Sequence, residues 1–358
     1  MQAIDAVDTR VLVLPTELGP ETDGTAVWRE TAMVLALVRA GGVTGIGYSY
    51  VTAAAARVID DVLARELIGS DALAIPAARA KLLRAIRNHG RDGIGACAIS
   101  AVDIALWDLK AKLLGVALAD LLGAARTVVP VYASGGFTSQ SDDELADELA
   151  GYVAAGHRRV KIKVGSDPRH DVERVARARA AIGPGVELMI DANGAYTRKQ
   201  ALALAEHFAE AGVVYFEEPV SADDLDGLRL LRDRAPMAIA AGEYGYDPMA
   251  FHRLADCVDI VQADATRALG ITGFLEVDAM CIARCLPLSS HCAPALHAHA
   301  GAAATQLVHL EYFRDHARME ARVFDGTLPV IAGGIAYDRT RPGLGIELRA
   351  REVARLAA

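Results

Sequence analysis

The sequence has few cysteines and no pair of them in a CxxC spacing. There are five cysteines in 358 residues, and an odd count without paired spacing argues against a disulfide framework or a structural zinc site. No uncharged apolar run reaches the length of about 18 residues that a membrane-spanning helix needs. The N-terminal stretch MQAIDAVDTR carries acids where a secretory signal has a basic region and an apolar core. We therefore expect a cytoplasmic protein with no membrane partner.

An excess of positive charge is also missing. Lysine and arginine number 37 against 46 acids, which gives a formal net charge of −9. Because a nucleic acid is held largely by excess lysine and arginine, we expect no nucleic-acid partner. Hydrophobic residues make up 53% and charged residues 23% of the chain, which is a globular composition. The length accommodates one large domain and one smaller domain.

The first part of the chain has the pattern of an α+β domain. The strand-like runs VLVLP and TAMVLALVRA are followed by GGVTGIG, which we interpret as a turn between strands. Alanine- and leucine-rich stretches near residues 53–68, 76–88 and 94–114 predict helices. GGVTGIG lacks the strand-then-helix context of a dinucleotide-binding loop, so its glycines are assigned to the turn.

From residue 126 to 325 the pattern changes to short apolar strands, each followed by a helical segment. The strand centres recur at the spacing of one strand–helix unit, near residues 131, 162, 189, 216, 240, 262, 288 and 310. The strands are apolar at nearly every position until their C-terminal ends, as strands buried on both faces of a parallel sheet are. Eight such units predict a closed parallel barrel.

Charged side chains mark the C-terminal ends of five of these strands. They are Asp191, Glu217, Glu243, Asp264 and His291, and the active site of such a barrel lies at this face. The first three come from successive strands, and three converging carboxylates would repel one another unless a cation lay among them. Oxygen ligands favour a hard ion such as Mg²⁺. The alternative is that each acid only stabilises the N-terminus of the helix that follows it.

Two lysines and one histidine supply candidate acid–base groups. Lys161 and Lys163 are two residues apart on the second strand, so their side chains share a face. We expect the two ammonium groups, once buried, to lower each other's pKa towards the neutral form that a base requires. Asp264 and His291 end adjacent strands, so the carboxylate can orient the imidazole and raise its basicity. The alternatives are a lysine that only neutralises the acids and a histidine that only packs in the core.

The HxH pair His297 and His299 suggests a zinc hydrolase. Barrel hydrolases of the amidohydrolase type carry this motif on the first strand, and here the first strand is PVYAS. We expect these histidines to lie in a helix or loop after the seventh strand.

Six motifs in order resemble the mandelate racemase subgroup of the enolase superfamily. They are KIKV, IDANG, FEEP, AGE, QAD and SSH, on strands two to seven, and the resemblance covers the whole chain. It implies the α/β class with a (β/α)₇β modified TIM barrel over residues 126–325. An α+β capping domain would occupy residues 1–125, and the segment 326–358 would return to it.

The resemblance also implies roles for individual residues. The ligands of Mg²⁺ would be Asp191, Glu217 and Glu243. Lys163 would be the base, and Lys161 would tune it and contact the substrate carboxylate.

The resemblance implies further roles for a histidine, three acids and an amide in or near the substrate site. His291, oriented by Asp264, would be a second acid or base across the substrate from the lysine. Glu311, at the end of strand eight, would hydrogen-bond the substrate carboxylate, which requires a protonated carboxyl group with a raised pKa. Asn193 would contact the substrate, and Glu218 would lie behind the metal ligands.

The implied reaction is Mg²⁺-dependent removal of the proton α to a small-molecule carboxylate, through a metal-stabilised enediolate. Relatives that cycloisomerise muconate or epimerise dipeptides carry a second lysine on strand six, where this chain has Asp264.

We favour dehydration of an acid sugar, a hydro-lyase reaction. Racemisation or epimerisation of a mandelate-like 2-hydroxy acid is the alternative, and a catalytically silent metal- and ligand-binding barrel is the non-enzyme alternative. We expect a homo-oligomer, with substrate choice set by loops near residues 15–30 and 48–53.

Overall fold

The computed structural model describes residues 2–17 and 19–358. Met1 and Leu18 lie outside the described residues, and Leu18 falls in the loop predicted to help choose the substrate. No helix within these two described ranges is long and apolar enough to cross a bilayer.

The N-terminal part contains an antiparallel sheet backed by helices. Its strands are β1 (Ile4–Pro15), β2 (Glu21–Thr22), β3 (Val27–Trp28), β4 (Glu30–Ala40) and β5 (Val43–Tyr50). Its helices are α1 (Ala54–Val58), which continues through a π-helical turn at Ile59–Leu63 into α2 (Ala64–Leu67), then α3 (Ile75–Ala85), α4 (Ile94–Leu114) and α5 (Leu118–Leu122). The main sheet has the order β1-β4-β5, and α4 packs against β5 and β4. The predicted α+β unit is present.

Eight parallel strands and their helices form the second part. The elements are β6 (Val128–Gly135), α6 (Asp142–Ala154), β7 (Arg159–Lys163), α7 (Asp171–Ile182), β8 (Glu187–Asp191), α8 (Arg198–Glu210), β9 (Val213–Glu217), α9 (Leu225–Arg234), β10 (Ala238–Ala241), α10 (Pro248–Leu254), β11 (Ile260–Ala263), α11 (Gly270–Arg284), β12 (Leu288–Ser290), α12 (Pro294–Ala303), β13 (Leu307–Phe313) and α13 (Arg314–Val323). Neighbouring strands pair in parallel, and β13 pairs with β6 to close the barrel. The predicted barrel with an N-terminal cap is confirmed.

Alternation along β7 shows how the barrel is built. Val160 and Ile162 belong to the main apolar core, while Lys161 and Lys163 are buried and contact carboxylates. Because side chains alternate between the two faces of a strand, the lysines face the barrel interior and the two apolar residues face the helices. Below the polar layer, a small apolar cluster fills the interior, made of Tyr132, Met189, Tyr215 and Ala240.

The C-terminal segment contacts both parts. It follows β14 (Phe324–Asp325) and contains β15 (Val330–Ile331), β16 (Gly334–Ala336), β17 (Glu347–Leu348) and α14 (Ala350–Leu356). The strand β16 pairs antiparallel with barrel strand β6, a contact that the sequence did not predict. The chain then bridges from Ala357 to Leu12 of β1 in the N-terminal part. We keep the division into 1–125, 126–325 and 326–358 as a proposal.

The glycine-rich motif GGVTGIG is only partly a turn. Gly41 and Gly42 form the turn with positive φ angles of 57° and 76°, but Gly45 and Gly47 lie inside β5. A Cβ atom at Gly47 would overlap the backbone of Ala101 in α4. The last two glycines therefore allow β5 to lie directly against the helix, which corrects the interpretation of the whole motif as a turn.

Replacement of Gly47 by alanine is expected to destabilise the protein by about 1–3 kcal/mol, because the added methyl group forces β5 away from α4. Gly151→Ala is the matched control, since that glycine lies on α6 with nothing within 4 Å of a Cβ atom. The control should stabilise by about 0.5–1 kcal/mol, the usual gain of alanine over glycine in a helix. Urea unfolding of both variants measures the difference, and equal stability of the two would contradict the close packing.

Candidate active site

The predicted site residues gather at the C-terminal face of the barrel. Asp191 and Glu217 are the last residues of β8 and β9, and Asp264 and His291 directly follow β11 and β12. Glu243 follows β10 by two residues, and Glu311 lies in β13. All are buried. Apart from Glu311, the position of each follows from where its strand ends, because parallel strands in a barrel deliver their last side chains to one mouth.

Both lysines of β7 form ion pairs with these acids. Lys163 Nζ lies 2.5 Å from Asp191 Oδ2. Lys161 Nζ lies 2.6 Å from Glu217 Oε2 and 2.7 Å from Glu311 Oε1. The two lysines therefore connect β7 to the acids of three other strands.

These ion pairs change the expected protonation of the lysines. Burial lowers the pKa of Lys163, and the charge of Lys161 lowers it further, but the carboxylates of Asp191, Glu217 and Glu243 together outweigh both and raise the pKa above its ordinary value. The pKa of Lys161 is also raised, since Glu217 and Glu311 outweigh its burial. The prediction that the two lysines approach the neutral form is wrong for this arrangement, because acids contact each of them.

The protonation expected for Glu311 is corrected in the same way. Burial raises the pKa of this carboxyl group, but the charges of Lys161, His291 and Lys163 together outweigh burial and hold the pKa below its ordinary value. The other oxygen of Glu311 accepts a hydrogen bond of 2.8 Å from the backbone N–H of Cys292. Glu311 is therefore a carboxylate in this ion pair and not the protonated acid that was expected.

Asp264 and His291 are hydrogen-bonded through His291 Nδ1 and Asp264 Oδ2, at 2.8 Å. Burial raises the pKa of Asp264, but the hydrogen bond to His291 and the charges of His291 and Arg267 together outweigh burial, and the pKa falls to about 2. The second oxygen of Asp264 accepts from the backbone N–H of Thr266 at 2.7 Å. Burial lowers the pKa of His291, while Cys292, Glu243 and Asp264 raise it above its ordinary value. The carboxylate thus fixes the ring and leaves Nε2 facing the mouth.

The three predicted metal ligands fit a hard divalent cation. Asp191, Glu217 and Glu243 supply only oxygen donors, which Mg²⁺ prefers. Glu217 Oε1 is buried without a hydrogen-bond partner, and such an atom is costly unless something satisfies it. Each of the three carboxylates also has a cationic neighbour. Lys163 lies next to Asp191 and Lys161 next to Glu217, and His291 Nε2 lies 3.0 Å from Glu243 Oε2. The donor set and the unsatisfied oxygen both suit Mg²⁺.

Asn193 and Glu218 border a cavity of about 700 Å³ beside these ligands. Each has a buried oxygen, Asn193 Oδ1 or Glu218 Oε1, without a hydrogen-bond partner. Other lining residues are Thr25 of the cap and Tyr244 and Tyr246 of the barrel. The cavity therefore lies between the two parts of the protein and offers polar atoms to a ligand.

The cap is attached to the barrel mouth at both predicted loops. Thr138 Oγ1 donates to the carbonyl oxygen of Asp23 at 2.6 Å, which holds the 15–30 loop over β6. In the predicted 48–53 segment, whose first residues belong to β5, Ser49 Oγ donates to the Thr266 carbonyl oxygen at 2.7 Å. Tyr48 Oη donates to Glu320 Oε1 at 2.6 Å. Of the two segments, the 15–30 loop also borders the cavity, through Thr25.

Two site residues were not predicted from the sequence. Arg267 Nη1 lies 3.3 Å from Glu243 Oε1, and its guanidinium lies over the Tyr244 ring. Cys292 places its Sγ atom 3.2 Å from His291 Nε2. The available signal was their position in the loops directly after strands six and seven, where side chains reach the mouth.

The HxH pair has a structural role. His297 and His299 are buried on α12, as expected for a helix after the seventh strand. His297 Nε2 accepts from the backbone N–H of Ala265 at 3.0 Å, and His299 Nδ1 accepts from that of Ala119 at 3.2 Å. These bonds tie α12 to the loop after β11 and to α5, and they do not form a metal site.

Two family models match the chain. The "Mandelate racemase / muconate lactonizing enzyme, N-terminal domain" matches residues 6–123, and "Enolase C-terminal domain-like" matches residues 144–353. Together they cover both parts of the fold.

Similar proteins match over nearly their whole length. A mandelate racemase/muconate lactonizing enzyme-like protein from Rubrobacter xylanophilus is 54% identical, and its crystal structure superposes with a TM-score of 0.98 over 99% of this chain and 100% of that chain. The 3,6-anhydro-α-L-galactonate cycloisomerase of Streptomyces coelicolor is 33% identical over 353 residues, 96% of each chain. L-Talarate dehydratase from Polaromonas sp. JS666, complexed with Mg and L-glucarate, is 31% identical, with a TM-score of 0.90 over 100% of this chain and 98% of that chain.

Proposed function

We propose that this chain, which belongs to the mandelate racemase / muconate lactonizing enzyme family of the enolase superfamily, removes the proton α to the carboxylate of a hydroxy acid in a Mg²⁺-dependent reaction. One observation carries the proposal. Lys163 on β7 and His291 after β12 approach the same carboxylate cluster from different strands, through Asp191 at 2.5 Å and Glu243 at 3.0 Å. A substrate whose carboxylate lay at that cluster would have its α-carbon between the two groups.

Bound at Asp191, Glu217 and Glu243, Mg²⁺ supplies positive charge that stabilises the negative charge developing on the substrate carboxylate. The remaining work belongs to the chain. Lys163 takes the α-proton from one face, and Lys161 holds the substrate carboxylate with its charge. Asp264 orients His291, which acts on the other face.

Dehydration of an acid sugar is the preferred reaction. The related L-talarate dehydratase with bound Mg and L-glucarate supports it, as does a polar cavity next to the metal ligands that can take a hydroxylated chain. In this reaction Lys163 removes the α-proton, and protonated His291 assists loss of the β-hydroxide. Racemisation of a 2-hydroxy acid is the second candidate, because an acid–base group stands on each face of the proposed substrate position.

One of the related proteins has a third activity, cycloisomerisation, which the experiment below should also cover. Relatives that cycloisomerise muconate use a second lysine on strand six, whereas in this chain that strand is followed by Asp264. A similar protein nevertheless acts as a cycloisomerase of an anhydro sugar acid. Anhydro sugar acids therefore belong among the candidate substrates.

The experiment is a screen of acid sugars, 2-hydroxy acids and anhydro sugar acids with the Mg²⁺-loaded protein. Proton NMR in deuterium oxide follows both product formation and exchange of the α-proton. Dehydration gives a 2-keto-3-deoxy acid, whereas racemisation gives only exchange and inversion. Binding of acids without exchange or turnover of any of them would instead support the silent metal- and ligand-binding barrel.

We further propose that the protein is a cytoplasmic homo-oligomer whose partner is a small carboxylic acid and not a nucleic acid or a membrane. The net charge of −9 supports the exclusion of nucleic acid. Light scattering during gel filtration measures the oligomeric state.

Removal of Mg²⁺ is expected to abolish turnover, and its return to restore turnover, with Mn²⁺ a possible substitute and zinc not required. Glu217→Gln should weaken Mg²⁺ binding and lower kcat, because one anionic ligand becomes neutral. Glu210→Gln is the matched control, since this glutamate is 79% exposed on α8. Isothermal titration with Mg²⁺ and steady-state kinetics measure both effects. Full activity of verified metal-free protein, or of Glu217→Gln, would contradict the ligand assignment.

A further inference from the structure

His291, Cys292 and Glu311 form a compact group of possible metal ligands that has no role in the proposed reaction as a unit. One nitrogen, sulfur or oxygen atom from each lies within 4.8 Å of the other two, and all three residues are buried. His291 Nε2 and Cys292 Sγ are 3.2 Å apart. Nitrogen, thiolate sulfur and carboxylate oxygen are the three donor types that proteins use for Zn²⁺.

The surroundings orient the donors. Asp264 Oδ2 binds the Nδ1–H of His291, an arrangement that leaves Nε2 as the ligand atom and is typical of metal-binding histidines. The backbone N–H of Cys292 donates to Glu311 Oε2, at 2.8 Å, so the sulfur and this carboxylate are held side by side. Cys292 also has a φ angle of +51°, which non-glycine residues rarely adopt, and the fold maintains this backbone at the mouth.

The charges are also suitable. A thiolate and the Glu311 carboxylate together balance a divalent cation, and the other oxygen of Glu311 keeps its ion pair with Lys161, at 2.7 Å. The Cys292 thiol proton and the Nε2 proton of the His291 imidazolium both leave to solvent when the metal binds. The group differs from Asp191, Glu217 and Glu243 in containing sulfur and nitrogen, which select zinc over Mg²⁺.

We propose that His291 Nε2, Cys292 Sγ and Glu311 form a second, thiophilic metal site that binds Zn²⁺ next to the Mg²⁺ site and blocks the acid–base group of His291. Zinc then occupies the nitrogen that would exchange a proton with the substrate. The binding part of this proposal depends only on the geometry. The inhibition part rests on the proposed function.

Binding is tested on tag-free protein saturated with Mg²⁺, by competition for zinc against a chromophoric chelator. We expect zinc bound at one Mg²⁺-insensitive site per chain, and Cys292→Ser should weaken it at least about tenfold, the loss expected when a metal site is disturbed. Cys285→Ser is the matched control, since Cys285 is exposed on the barrel exterior at the end of α11, and it should bind zinc as the wild type does. Equal zinc affinity in Cys292→Ser would overturn the proposal.

A spectroscopic measurement keeps the test independent of activity and of that one variant. Cobalt(II) bound at this site should give a thiolate-to-metal charge-transfer band in the near ultraviolet, in wild type, Cys285→Ser and Glu311→Gln but not in Cys292→Ser. Glu311→Gln keeps the sulfur and should only weaken binding. Absence of the band from wild type overturns the site even if Cys292→Ser fails to fold. In active enzyme, micromolar zinc should inhibit the wild type more strongly than Cys292→Ser. A protein that binds zinc at this site but turns over no substrate would contradict the proposed function and leave the zinc site standing.

Discussion

Lys163→Ala is expected to lower kcat by about 10²–10⁴-fold, the usual contribution of a positioned acid or base. Lys163 lies 2.5 Å from Asp191, so a carboxylate bound at the metal ligands would bring its α-carbon close to this amine. The raised pKa of Lys163 reflects that ion pair. When a cation takes over the charge of Asp191, the amine loses the contact that stabilises its charged form, and burial together with Lys161 favours the neutral base.

The matched control is Lys199→Ala, which removes an exposed lysine from α8 and should leave kcat unchanged. Loss of the ion pair can also alter the ligands, so Mg²⁺ affinity of Lys163→Ala is measured by titration beside kcat. If Lys163→Ala binds Mg²⁺ as tightly as the wild type and kcat still falls, the loss of activity is due to the missing base. Wild-type kcat in Lys163→Ala would exclude the lysine as the base on that substrate.

Strand positions were predictable from the sequence because most barrel strands are short apolar runs with a charged residue at or shortly after the C-terminal end. Asp191 and Glu217 mark the last positions of β8 and β9, so the end of the apolar pattern locates both the strand and the mouth. The hydrogen bond between Asp264 and His291 followed from the same reasoning, because adjacent parallel strands end side by side. The family and fold predictions are confirmed, whereas the catalytic roles stay predictions.

Protonation was not predictable, because it depends on distances across the barrel and not along the chain. The sequence places Lys161 beside Lys163, which suggests mutual repulsion. The fold instead places Glu217 and Glu311, from distant parts of the chain, within 2.7 Å of Lys161. Attraction to these acids exceeds the repulsion, and the same contact keeps Glu311 charged.

Contacts that depend on the path of the backbone could not be predicted from the sequence either. Gly47 is needed because α4 passes directly over β5, and a pattern of glycines between two apolar runs reads equally well as a turn. Cys292 follows the predicted histidine in sequence, but only the left-handed backbone after β12 directs its sulfur to His291 Nε2. Local sequence patterns do not show that Gly47 lies against α4 or that Cys292 Sγ lies near His291 Nε2.

His291→Asn is expected to lower overall dehydration by about 10²–10⁴-fold while leaving Lys163 able to exchange the α-proton with solvent. Expulsion of hydroxide without an acid is slow, and His291 is the group that Asp264 orients towards the mouth, through a bond of 2.8 Å. Exchange survives only for substrates whose configuration presents the α-proton to the lysine. In a racemase, by contrast, each single variant should lose exchange with one enantiomer and keep it with the other.

Deuterium incorporation followed by NMR, scored separately for each accepted substrate, distinguishes these results. His207→Asn is the matched control, because this histidine is 56% exposed on α8, and it should dehydrate and exchange as the wild type does. Asp264→Asn should resemble His291→Asn in direction with a smaller loss, since the ring keeps its place in the chain but loses the carboxylate that orients it. If Lys163→Ala and His291→Asn both kept wild-type turnover, neither residue would be the acid or base, and the chemistry would have to be assigned to other groups at the same barrel mouth.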